Sequence, residues 1–371
     1  MTRCLQCCMP DSRPDTQFTD GICSACISYS KRKEIDWPAR EKRLLEILDA
    51  AHGECIVASS GGKDSHWQTL KLLELGAHVT CVTATTCHLT DIGRKNLDNL
   101  ARYATTIEVS PNKTVRAKLN RFGLELVGDI SWPEHVSIFT TPFRIASDVG
   151  IPLIFYGENP QEAYGGPTGA DAAFELTPRW RSEFGGFLGL RPSDMVGKEG
   201  ITALDMQDYE LPYATLPDSE WAPKAYFLGQ FYEWDSHRNA QVAAEHGMLQ
   251  TSPCNANFWI GENEDNAQTG LHDHMMFRKY GYGRGCAQFS VDVRSGMWAR
   301  ERAMRWIELN DGIFPSLYAG VALHEMLDRI GVSYEDLLGI LDHFTNHELF
   351  AYVRGHRPIL KEFAELTHVG N

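Results

Sequence analysis

The sequence predicts an α/β protein with a parallel sheet, and two observations support this fold class. Between residues 55 and 156, short apolar runs of strand length alternate with segments of helical periodicity. A glycine-bearing turn follows the first of these runs directly and opens the first helix of the series. Strands that alternate with helices in this way form parallel sheets covered by helices on both faces. We therefore expect one such sheet in the first two thirds of the chain.

The elements of this fold are expected in a simple order. Residues 1 to about 30 combine Cys, Asp, Ser and Pro without helical periodicity, which indicates a small module built from loops. Asp36 and Pro38 suit the start of a linker helix, as its cap and as a first-turn residue. The α/β region follows, with predicted helices that end at Leu75 and cover 90–103, and with predicted strands at 55–58, 78–83, 106–109, 152–156 and 225–232.

The last third of the chain is predicted to be mainly helical. Amphipathic periodicity covers 300–309, 321–330 and 334–344. Ser333 precedes the last of these segments, and Asp336 completes a capping-box arrangement with it. We therefore divide the chain into a cysteine module at 1–35, an α/β domain at 36–250 and a mainly helical region at 251–371.

The composition indicates an ordinary globular protein, which we expect in the cytoplasm. Of the 371 residues 43% are hydrophobic and 23% charged, and no run reaches the roughly 20 apolar residues that a bilayer crossing needs. The first residues lack the apolar stretch of a secretory signal. A net charge of −14 disfavours broad attraction to nucleic acid, because such binding releases counterions from many phosphates. We expect neither a membrane nor a nucleic acid as partner.

The strongest chemical signal lies between the first predicted strand and its helix, in the run Ser59-Ser60-Gly61-Gly62-Lys63-Asp64-Ser65. Two glycines let the backbone approach a ligand, and the unpaired N–H groups at a helix start bind an oxygen-rich anion such as phosphate. The spacing differs from the Walker form, so it does not favour direct γ-phosphoryl transfer. The alternative is a strand-to-helix turn without a ligand.

Four cysteines form the second signal. Cys4-x-x-Cys7 is followed, after 15 intervening residues, by Cys23-x-x-Cys26. Two thiolate pairs on tight turns close a tetrahedral zinc site, and with four protein ligands the metal is structural. Cys8 stays outside the two pairs. Disulfides or a redox pair are the alternatives, although the cytoplasm disfavours disulfides.

The third signal is the run Gly157 to Gly166, which starts where the predicted strand 152–156 ends. Ligands of open α/β sheets lie beyond the carboxyl ends of the strands, so this run and the loop at Ser60 are expected to face one crevice. Glu158 and Glu162 are candidates to hold magnesium or accept a proton. The alternative is a solvated acidic loop.

Two histidines near the start of the C-terminal region are close in sequence, but their spacing does not favour a shared metal site. His272 and His274 flank Asp273 in a segment that Met275, Met276 and Phe277 mark as helical. Residues two apart on a helix point about 200° away from each other, so these histidines cannot converge on one ion. We leave them out of the predicted metal ligands. Similarly, we expect His66 to be hydrogen-bonded within its helix rather than catalytic.

The loop at Ser60 resembles the Ser-Gly-Gly-x-Asp-Ser loop of the PP-loop ATP pyrophosphatases, which are adenine nucleotide alpha hydrolase-like proteins of the HUP class. A longer series of motifs, in order along the chain, resembles the N-acetyl sugar amidotransferases of bacterial surface-sugar biosynthesis, the WbpG and PseA type. The motifs are Arg3-Cys4-x-x-Cys7-x-Met9-Pro10-Asp11-x-Arg13-Pro14, Gly21-x-Cys23-x-x-Cys26, Ser60-Gly61-Gly62-Lys63-Asp64-Ser65-His66, Gly157-Glu158-Asn159, Tyr164-Gly165-Gly166, His272-Asp273 and Lys279-Tyr280-Gly281-Tyr282-Gly283-Arg284. Residues 113–136 and 170–216 have no counterpart and are where sugar specificity is expected.

The resemblance implies an ATP-dependent amidotransferase that forms AMP and pyrophosphate. It would adenylate the carbonyl oxygen of an N-acetyl group, on a nucleotide-activated diacetamido sugar, and ammonia would displace AMP to leave an acetamidino group. The product would serve bacterial surface polysaccharide or flagellin glycans. Mg²⁺ accompanies ATP in this picture, with a structural Zn²⁺ in the cysteine module, and Asp64 orients either the loop or the magnesium ion.

The resemblance also assigns roles to single residues. Lys63 is a candidate contact of the α or β phosphate, and Arg284 or Arg294 of the phosphates of ATP or the sugar nucleotide. The implied ATP-binding residues are Ser59, Ser60, Gly61, Gly62, Lys63, Asp64 and Ser65. The implied catalytic residues are Asp64, Lys63 and Glu158, the implied substrate-binding residues are Glu158, Asn159, Glu162, Tyr164, Asp273 and Arg284, and the zinc ligands are Cys4, Cys7, Cys23 and Cys26.

The chain is not expected to produce its own ammonia. No segment resembles a glutaminase, since Thr2 follows Met1 and no cysteine lies in a Gly-x-Cys-x-Gly elbow, which implies a separate glutaminase subunit. Assembly into a homo-oligomer stays open.

A PP-loop sulfurtransferase would need a persulfide-carrying cysteine, for which Cys87, Cys254 or Cys286 are candidates. A zinc-ribbon protein that only senses ATP is the non-enzymatic alternative.

Overall fold

The structure is a computed structural model that describes residues 1–13, 16–165, 174–212 and 222–364. The chain begins with the cysteine module, in which the hairpin β1 (Phe18–Thr19) and β2 (Ile22–Cys23) leads into helix α1 (Ser24–Lys31). The prediction of a module built only from loops was therefore wrong, because eight residues are too short for the periodicity to show. Helix α2 (Trp37–Ala50) follows as predicted, since the Asp36 carboxylate accepts a hydrogen bond from the Ala39 amide.

A five-stranded sheet forms the centre of the molecule, and the predicted parallel α/β class is confirmed. Its strands are β3 (Glu54–Ala58), β4 (His78–Ala84), β5 (Thr105–Val109), β6 (Leu153–Tyr156) and β7 (Lys224–Phe227). They pair in the order β5-β4-β3-β6-β7, and every pairing is parallel. Because β3 and β6 are neighbours, the loops that follow them start at the same edge of the sheet.

Helices cover this sheet and connect its strands. They are α3 (Lys63–Glu74), α4 (Asp91–Leu100), α5 (Lys113–Val127), α6 (Trp132–Val149), α7 (Pro160–Tyr164), α8 (Pro178–Phe184), α9 (Ala203–Met206) and α10 (Ser236–Glu245). Leu72 and Phe155 belong to the core on one face of the sheet, and Ile154 and Phe143 to the core on the other. Each face of the sheet is thus buried in its own hydrophobic core, as is usual for a parallel sheet.

One predicted strand is shorter than expected. The run 225–232 was predicted as a single strand, but β7 ends at Phe227 and Leu228–Gln230 form a 3₁₀ turn. The Gly229 amide donates to the carbonyl of Gly157, so the turn is held against the loop that follows β6. The mostly apolar run did not reveal this turn, because Leu228 within the turn and Phe231 after it are both buried.

Within its described residues, the C-terminal region contains helices and two short antiparallel strand pairs. Its elements are α11 (Thr269–Tyr280), α12 (Arg284–Arg294), α13 (Arg300–Asn310), β8 (Leu317–Tyr318), β9 (Val321–Ala322), α14 (Leu323–Ile330), α15 (Tyr334–His343), β10 (Phe350–Arg354), β11 (Arg357–Leu360) and α16 (Lys361–Ala364). Ser333 caps α15 as predicted, by accepting from the Asp336 amide. The helix predicted from residue 321 starts two residues later, because β9 pairs with β8.

Two packing arrangements join distant parts of the chain. The cysteine module shares one core with the C-terminal region, in which Cys4 and Cys26 lie in the same cluster as Phe277 and Phe289. Helices α5 and α6 share another core with residues between 187 and 209, so described parts of the two stretches that the family motifs do not cover pack together. None of the helices in the described ranges combines the length and apolarity that a bilayer crossing requires.

Candidate functional site

The loop after β3 has a shape that only its glycines permit. Gly61 adopts φ +80°, and a Cβ atom there would lie 2.9 Å from Cδ2 of Leu97 on α4. Gly62 is the N-cap of α3 and supplies no side-chain cap. The first amides of α3 therefore point out of the helix start without an intrahelical partner, which is the arrangement that binds anions.

Serine hydroxyls hold the amides of this loop. The Ser60 amide donates to Ser65 Oγ at 3.0 Å, and the Gly61 amide donates to Ser59 Oγ at 3.2 Å. The Gly62 amide donates to Ser60 Oγ at 3.3 Å. Each of the three predicted serines thus contacts a loop amide, which fixes the curvature of the loop before any ligand is present.

Lys63 is a buried cation between two carboxylates. Its Nζ atom lies 2.5 Å from Asp64 Oδ2 and 2.6 Å from Glu262 Oε2, and Asn239 Nδ2 donates to the other Asp64 oxygen at 2.9 Å. Burial lowers the pKa of Lys63, but the charges of Asp64, Glu262 and Glu158 outweigh burial and raise it well above the ordinary value. Lys63 is therefore charged, and two carboxylates lie within contact of its ammonium group, which has three N–H donors.

Glu158 lies close to this ion-pair group. Burial, followed by the charge of Asp64, raises the pKa of the Glu158 carboxyl to about 7, although Lys63 opposes the shift. A carboxyl group that titrates near neutral pH can take up or release a proton during a reaction. The neighbouring Asn159 side chain is buried, and the side chain of Glu162 on α7 lies outside the described residues.

A small cavity of about 70 Å³ opens beside the loop. Its walls come from the loop, from α4, and from an acidic segment of the C-terminal region, and they are formed by Ser60, Gly61, Gly62, Lys63, Asp64, Gly93, Asn96, Met248, Gly261, Glu262, Asn263, Glu264 and Asp265. The amides, the buried ammonium group and the close-fitting glycine suit the phosphates of a nucleotide. The carboxylates suit an Mg²⁺ ion bound to them, because hard cations prefer oxygen ligands.

The two predicted substrate residues of the C-terminal region bind each other. Arg284 Nε donates to Asp273 Oδ2 at 3.1 Å, and Arg284 Nη2 donates to Asp273 Oδ1 at 2.9 Å. Burial raises the pKa of the Tyr164 hydroxyl, and the charges of Glu158, Glu262 and Arg284 all act on it. Tyr164 is thus near enough to Glu158, Glu262 and Arg284 for their charges to act on its hydroxyl.

The four predicted zinc ligands come together in the structure. Cys4 Sγ lies 3.8 Å from Cys26 Sγ, Cys7 Sγ lies 3.6 Å from Cys23 Sγ, and all four sulfurs lie within 4.8 Å of one another. A tetrahedron with metal–sulfur bonds of about 2.3 Å has edges of about 3.8 Å. The sulfurs are too far apart for disulfides, and all ten cysteines are free. The buried cluster fits a structural zinc ion.

Arg294 connects this cluster to the loop after β6. Its Nε atom lies 3.5 Å from Cys26 Sγ, and its Nη1 atom donates to the Ala163 carbonyl at 2.8 Å. The side chain is thus committed to the cysteine cluster and to α7, rather than to the cavity beside the loop. The sequence-based alternative that Arg294 contacts a nucleotide phosphate receives no support from this position.

The histidines behave as the sequence predicts. His66 Nδ1 lies 3.1 Å from the Gly62 carbonyl and its Nε2 atom lies 3.0 Å from Asn99 Nδ2, so both ring nitrogens are engaged within the fold. His272 and His274 diverge, since His272 contacts Asp129 and His274 contacts the carbonyl of Gly312. They share no ion.

Sequence reasoning missed Glu262 and Asn239. Both side chains reach the loop from elements far away in the sequence, and no local spacing relates them to Lys63 or Asp64. The one available signal was the acidic run Gly261-Glu262-Asn263-Glu264-Asp265. Acidic runs are usually solvated, so this run alone did not indicate a site.

The structure is that of an α/β protein with a glycine-containing turn at the carboxyl edge of a parallel sheet. Residues 255–364 match a family model described as the LPS biosynthesis protein WbpG-like, C-terminal domain. The C-terminal region is thus similar to a domain of WbpG-type proteins of lipopolysaccharide biosynthesis. No curated protein matches the chain.

Proposed function

We propose that this protein is an ATP-dependent amidotransferase that forms AMP and pyrophosphate and acts in the biosynthesis of a bacterial surface sugar. The observation that carries the proposal is the contact between Lys63 and Glu262. Lys63 belongs to the loop that resembles PP-loop ATP pyrophosphatases, and Glu262 belongs to the segment that matches the WbpG-like domain. A nucleotide loop and a domain typical of lipopolysaccharide biosynthesis thus contribute to one cavity, which supports a shared reaction.

The loop is the proposed holder of ATP. The amides at the start of α3 would bind the departing pyrophosphate, because the amides of Ser60 to Gly62 already donate to serine hydroxyls. Lys63 would neutralise the charge of the pyrophosphate. The carboxylates of Asp64 and Glu262 would offer oxygen ligands for the Mg²⁺ that accompanies ATP, and the ion would supply positive charge beside the phosphates.

The acceptor is proposed to be the N-acetyl group of a nucleotide-activated diacetamido sugar. ATP supplies an adenylyl group that converts the unreactive carbonyl oxygen of the amide into a good leaving group, and ammonia then displaces AMP to give an acetamidino group. This chain contributes positioning, a carboxyl group at Glu158 that can accept the proton released by ammonia, and electrostatic support. Asn159, Tyr164 and the Asp273–Arg284 pair are the proposed contacts of the sugar, with Glu162 beside them in sequence.

The competing sulfurtransferase has weaker support. Burial raises the pKa of Cys87 to about 11, and burial also raises the pKa of Cys254 and Cys286. Sulfur transfer depends on a thiolate, and these surroundings keep the thiols protonated. A protein that only senses ATP would not need the buried carboxyl of Glu158 near a neutral pKa.

The central test is an assay of the purified chain with MgATP, ammonium and candidate diacetamido sugar nucleotides. We expect AMP, pyrophosphate and a product in which one oxygen is replaced by NH. Asp64→Asn is expected to abolish AMP formation, whereas Asp98→Asn, which changes a 65% exposed aspartate on α4, retains it. ADP as the nucleotide product contradicts the proposal, and replacement of oxygen by sulfur in the presence of a sulfur donor supports the competing function.

The source of ammonia is proposed to be a separate glutaminase subunit. The purified chain is expected to use ammonium and not glutamine, and addition of the partner subunit is expected to restore glutamine use. The measurement is AMP release with each nitrogen donor at matched concentration. Efficient glutamine use by the chain alone would show that no partner is needed.

A further inference from the structure

A second group of metal-ligating side chains lies outside both the cysteine cluster and the cavity beside the loop. Asp129 follows α5, His135 lies in the first turns of α6, and His272 belongs to α11. One ligand atom from each of these residues lies within 4.8 Å of the other two. Elements far apart in sequence thus bring two imidazoles and one carboxylate to a single point.

The carboxylate lies between the two rings. Asp129 Oδ1 lies 2.8 Å from His272 Nδ1, and Asp129 Oδ2 lies 3.2 Å from His135 Nδ1. The ring centroids are 5.2 Å apart, and the ring planes are inclined by 80°. Zinc bonds to nitrogen and oxygen of about 2.0 to 2.2 Å place neighbouring ligand atoms roughly 3 to 3.5 Å apart. The observed separations need only small side-chain shifts to surround an ion.

One of the three ligand atoms lacks a hydrogen bond. His135 Nδ1 is buried, and although it is near Asp129 it forms no hydrogen bond of acceptable geometry. Buried polar atoms are normally satisfied by well-aligned hydrogen bonds, so this nitrogen, whose contact with Asp129 is poorly aligned, is suited to coordinate an ion. Coordination of a cation by this nitrogen would satisfy it.

The surroundings fix the ligands in place. The Ser131 amide donates to Asp129 Oδ1 at 2.8 Å, which orients the carboxylate. Gly186 approaches His135 so closely that a Cβ atom there would lie 3.0 Å from Nδ1, which covers the ring on one side. The nearby guanidinium of Arg284 is already paired with Asp273, so its charge is compensated.

We propose that Asp129, His135 and His272 bind a divalent transition-metal ion of the zinc type. Imidazole nitrogens favour such ions over magnesium or calcium, which prefer oxygen ligands alone. Three protein ligands leave a coordination position open to water or to a substrate group, in contrast to the closed cysteine cluster. The site connects α5 and α6 to α11 and does not depend on the proposed amidotransferase function.

The test is the metal content of the untagged full-length chain. After equilibration with excess zinc and gel filtration, we expect about two zinc ions per chain, one for each site. His135→Ala and His272→Ala are expected to lose one ion, and Cys7→Ser to lose the other. His347→Ala is the matched control, because His347 also pairs with an aspartate but is 66% exposed, and it is expected to retain both ions.

Cobalt substitution identifies which site is lost. The cysteine cluster is expected to give intense thiolate-to-cobalt bands, and the proposed site weaker bands that disappear in His272→Ala while the thiolate bands remain. Asp129→Asn is a more conservative variant, because it keeps an acceptor for the Ser131 amide and removes no ring. It is expected to lose the weaker bands as well, which would show that their loss in the alanine variants does not result from misfolding. A wild-type chain that binds a single ion, or a second ion that survives all three substitutions, overturns the proposal.

Discussion

Lys63 lies where three parts of the chain meet. It belongs to the loop after β3, and its ammonium group contacts Asp64 next to it and Glu262 from the C-terminal region. A buried charge that loses its partner keeps the cost of desolvation without compensation. Glu262 therefore matters as much for the position of Lys63 as the loop itself does.

Replacing Glu262 by Gln tests this contact. The change removes one of the two nearest negative charges from Lys63 and one proposed magnesium ligand, so we expect at least about a tenfold loss in the rate of AMP formation, or about 1.4 kcal/mol of transition-state stabilisation. The measurement is AMP release at saturating and at low MgATP. Glu301→Gln changes an exposed glutamate of the same region and is the control, and equal rates for both variants would contradict the assigned role.

Glu158 makes stability depend on pH in a defined direction. Its pKa in the folded protein is about 7, above the ordinary value of 4.5 expected of the unfolded chain. Between these values the folded state holds a proton that the unfolded state releases, so this group's contribution to stability is present below pH 4.5 and is lost as pH rises through 7.

Comparison of the wild-type chain with Glu158→Gln isolates this contribution. The neutral amide cannot ionise, so we expect the variant to gain stability relative to wild type between pH 5 and pH 8. Urea unfolding at several pH values measures the difference. A stability difference that stays constant over this range would show that Glu158 titrates normally.

At the scale of the element, the turn between β3 and α3 is determined by close packing as much as by backbone conformation. Gly61 and Gly76 both adopt a positive φ, of +80° and +82°. A Cβ atom at Gly61 would collide with Leu97, whereas no heavy atom lies within 4 Å of a Cβ atom at Gly76. Comparing alanine substitutions at these two positions therefore distinguishes the cost of backbone strain from the cost of steric overlap.

Gly61→Ala and Gly76→Ala form a matched pair. Both variants carry the cost of a left-handed backbone, roughly 1–2 kcal/mol, and Gly61→Ala adds overpacking against α4 of roughly 1–3 kcal/mol. Urea unfolding is expected to show the larger loss for Gly61→Ala. In the double variant with Leu97→Ala, we expect part of the stability lost to steric overlap at Gly61→Ala to be recovered. Equal losses for the two single variants would mean that α4 shifts to accommodate the added Cβ atom without a cost in stability.

At the scale of the whole molecule, the cysteine module is part of the C-terminal core. Arg300 donates to the carbonyls of Cys4 and Cys7, and Arg3 forms an ion pair with Glu362. Through Arg294 the same module reaches α7, next to Glu158 in sequence. A zinc ion in the cluster would therefore stabilise regions at both ends of the chain.

Metal removal tests this arrangement. Cys7→Ser is expected to lose the zinc ion and to lower the melting temperature strongly, because structural zinc binding contributes directly to folding. Cys8→Ser is the matched control, since Cys8 is buried in the same core but lies outside the ligand set. We expect Cys8→Ser to keep its zinc and to melt only slightly earlier. Zinc content and thermal unfolding measure both effects, and equal melting temperatures would contradict a stabilising metal.

Much of the fold followed from local patterns. The alternation of apolar runs and helices gave the parallel sheet, and Asp36 and Ser333 marked the starts of their helices, because caps and periodicity act over a few residues. The four-cysteine set was equally visible from its spacing. Short elements such as α1 and β9 were missed, since segments of two to eight residues carry too little periodicity to be distinguished from loops.

The sequence by itself determined the parallel α/β fold class and the set of four cysteines that come together, because each is encoded within short stretches. It also predicts anion binding by the loop at Ser60. Only the tertiary structure decided that Glu262 pairs with Lys63, that Asp273 is bound by Arg284, and that His272 meets Asp129 and His135. The last two of these groups join α11 to other elements, and all depend on how distant segments pack around shared cores. Such tertiary contacts produce no characteristic spacing of residues that could be recognised in the sequence.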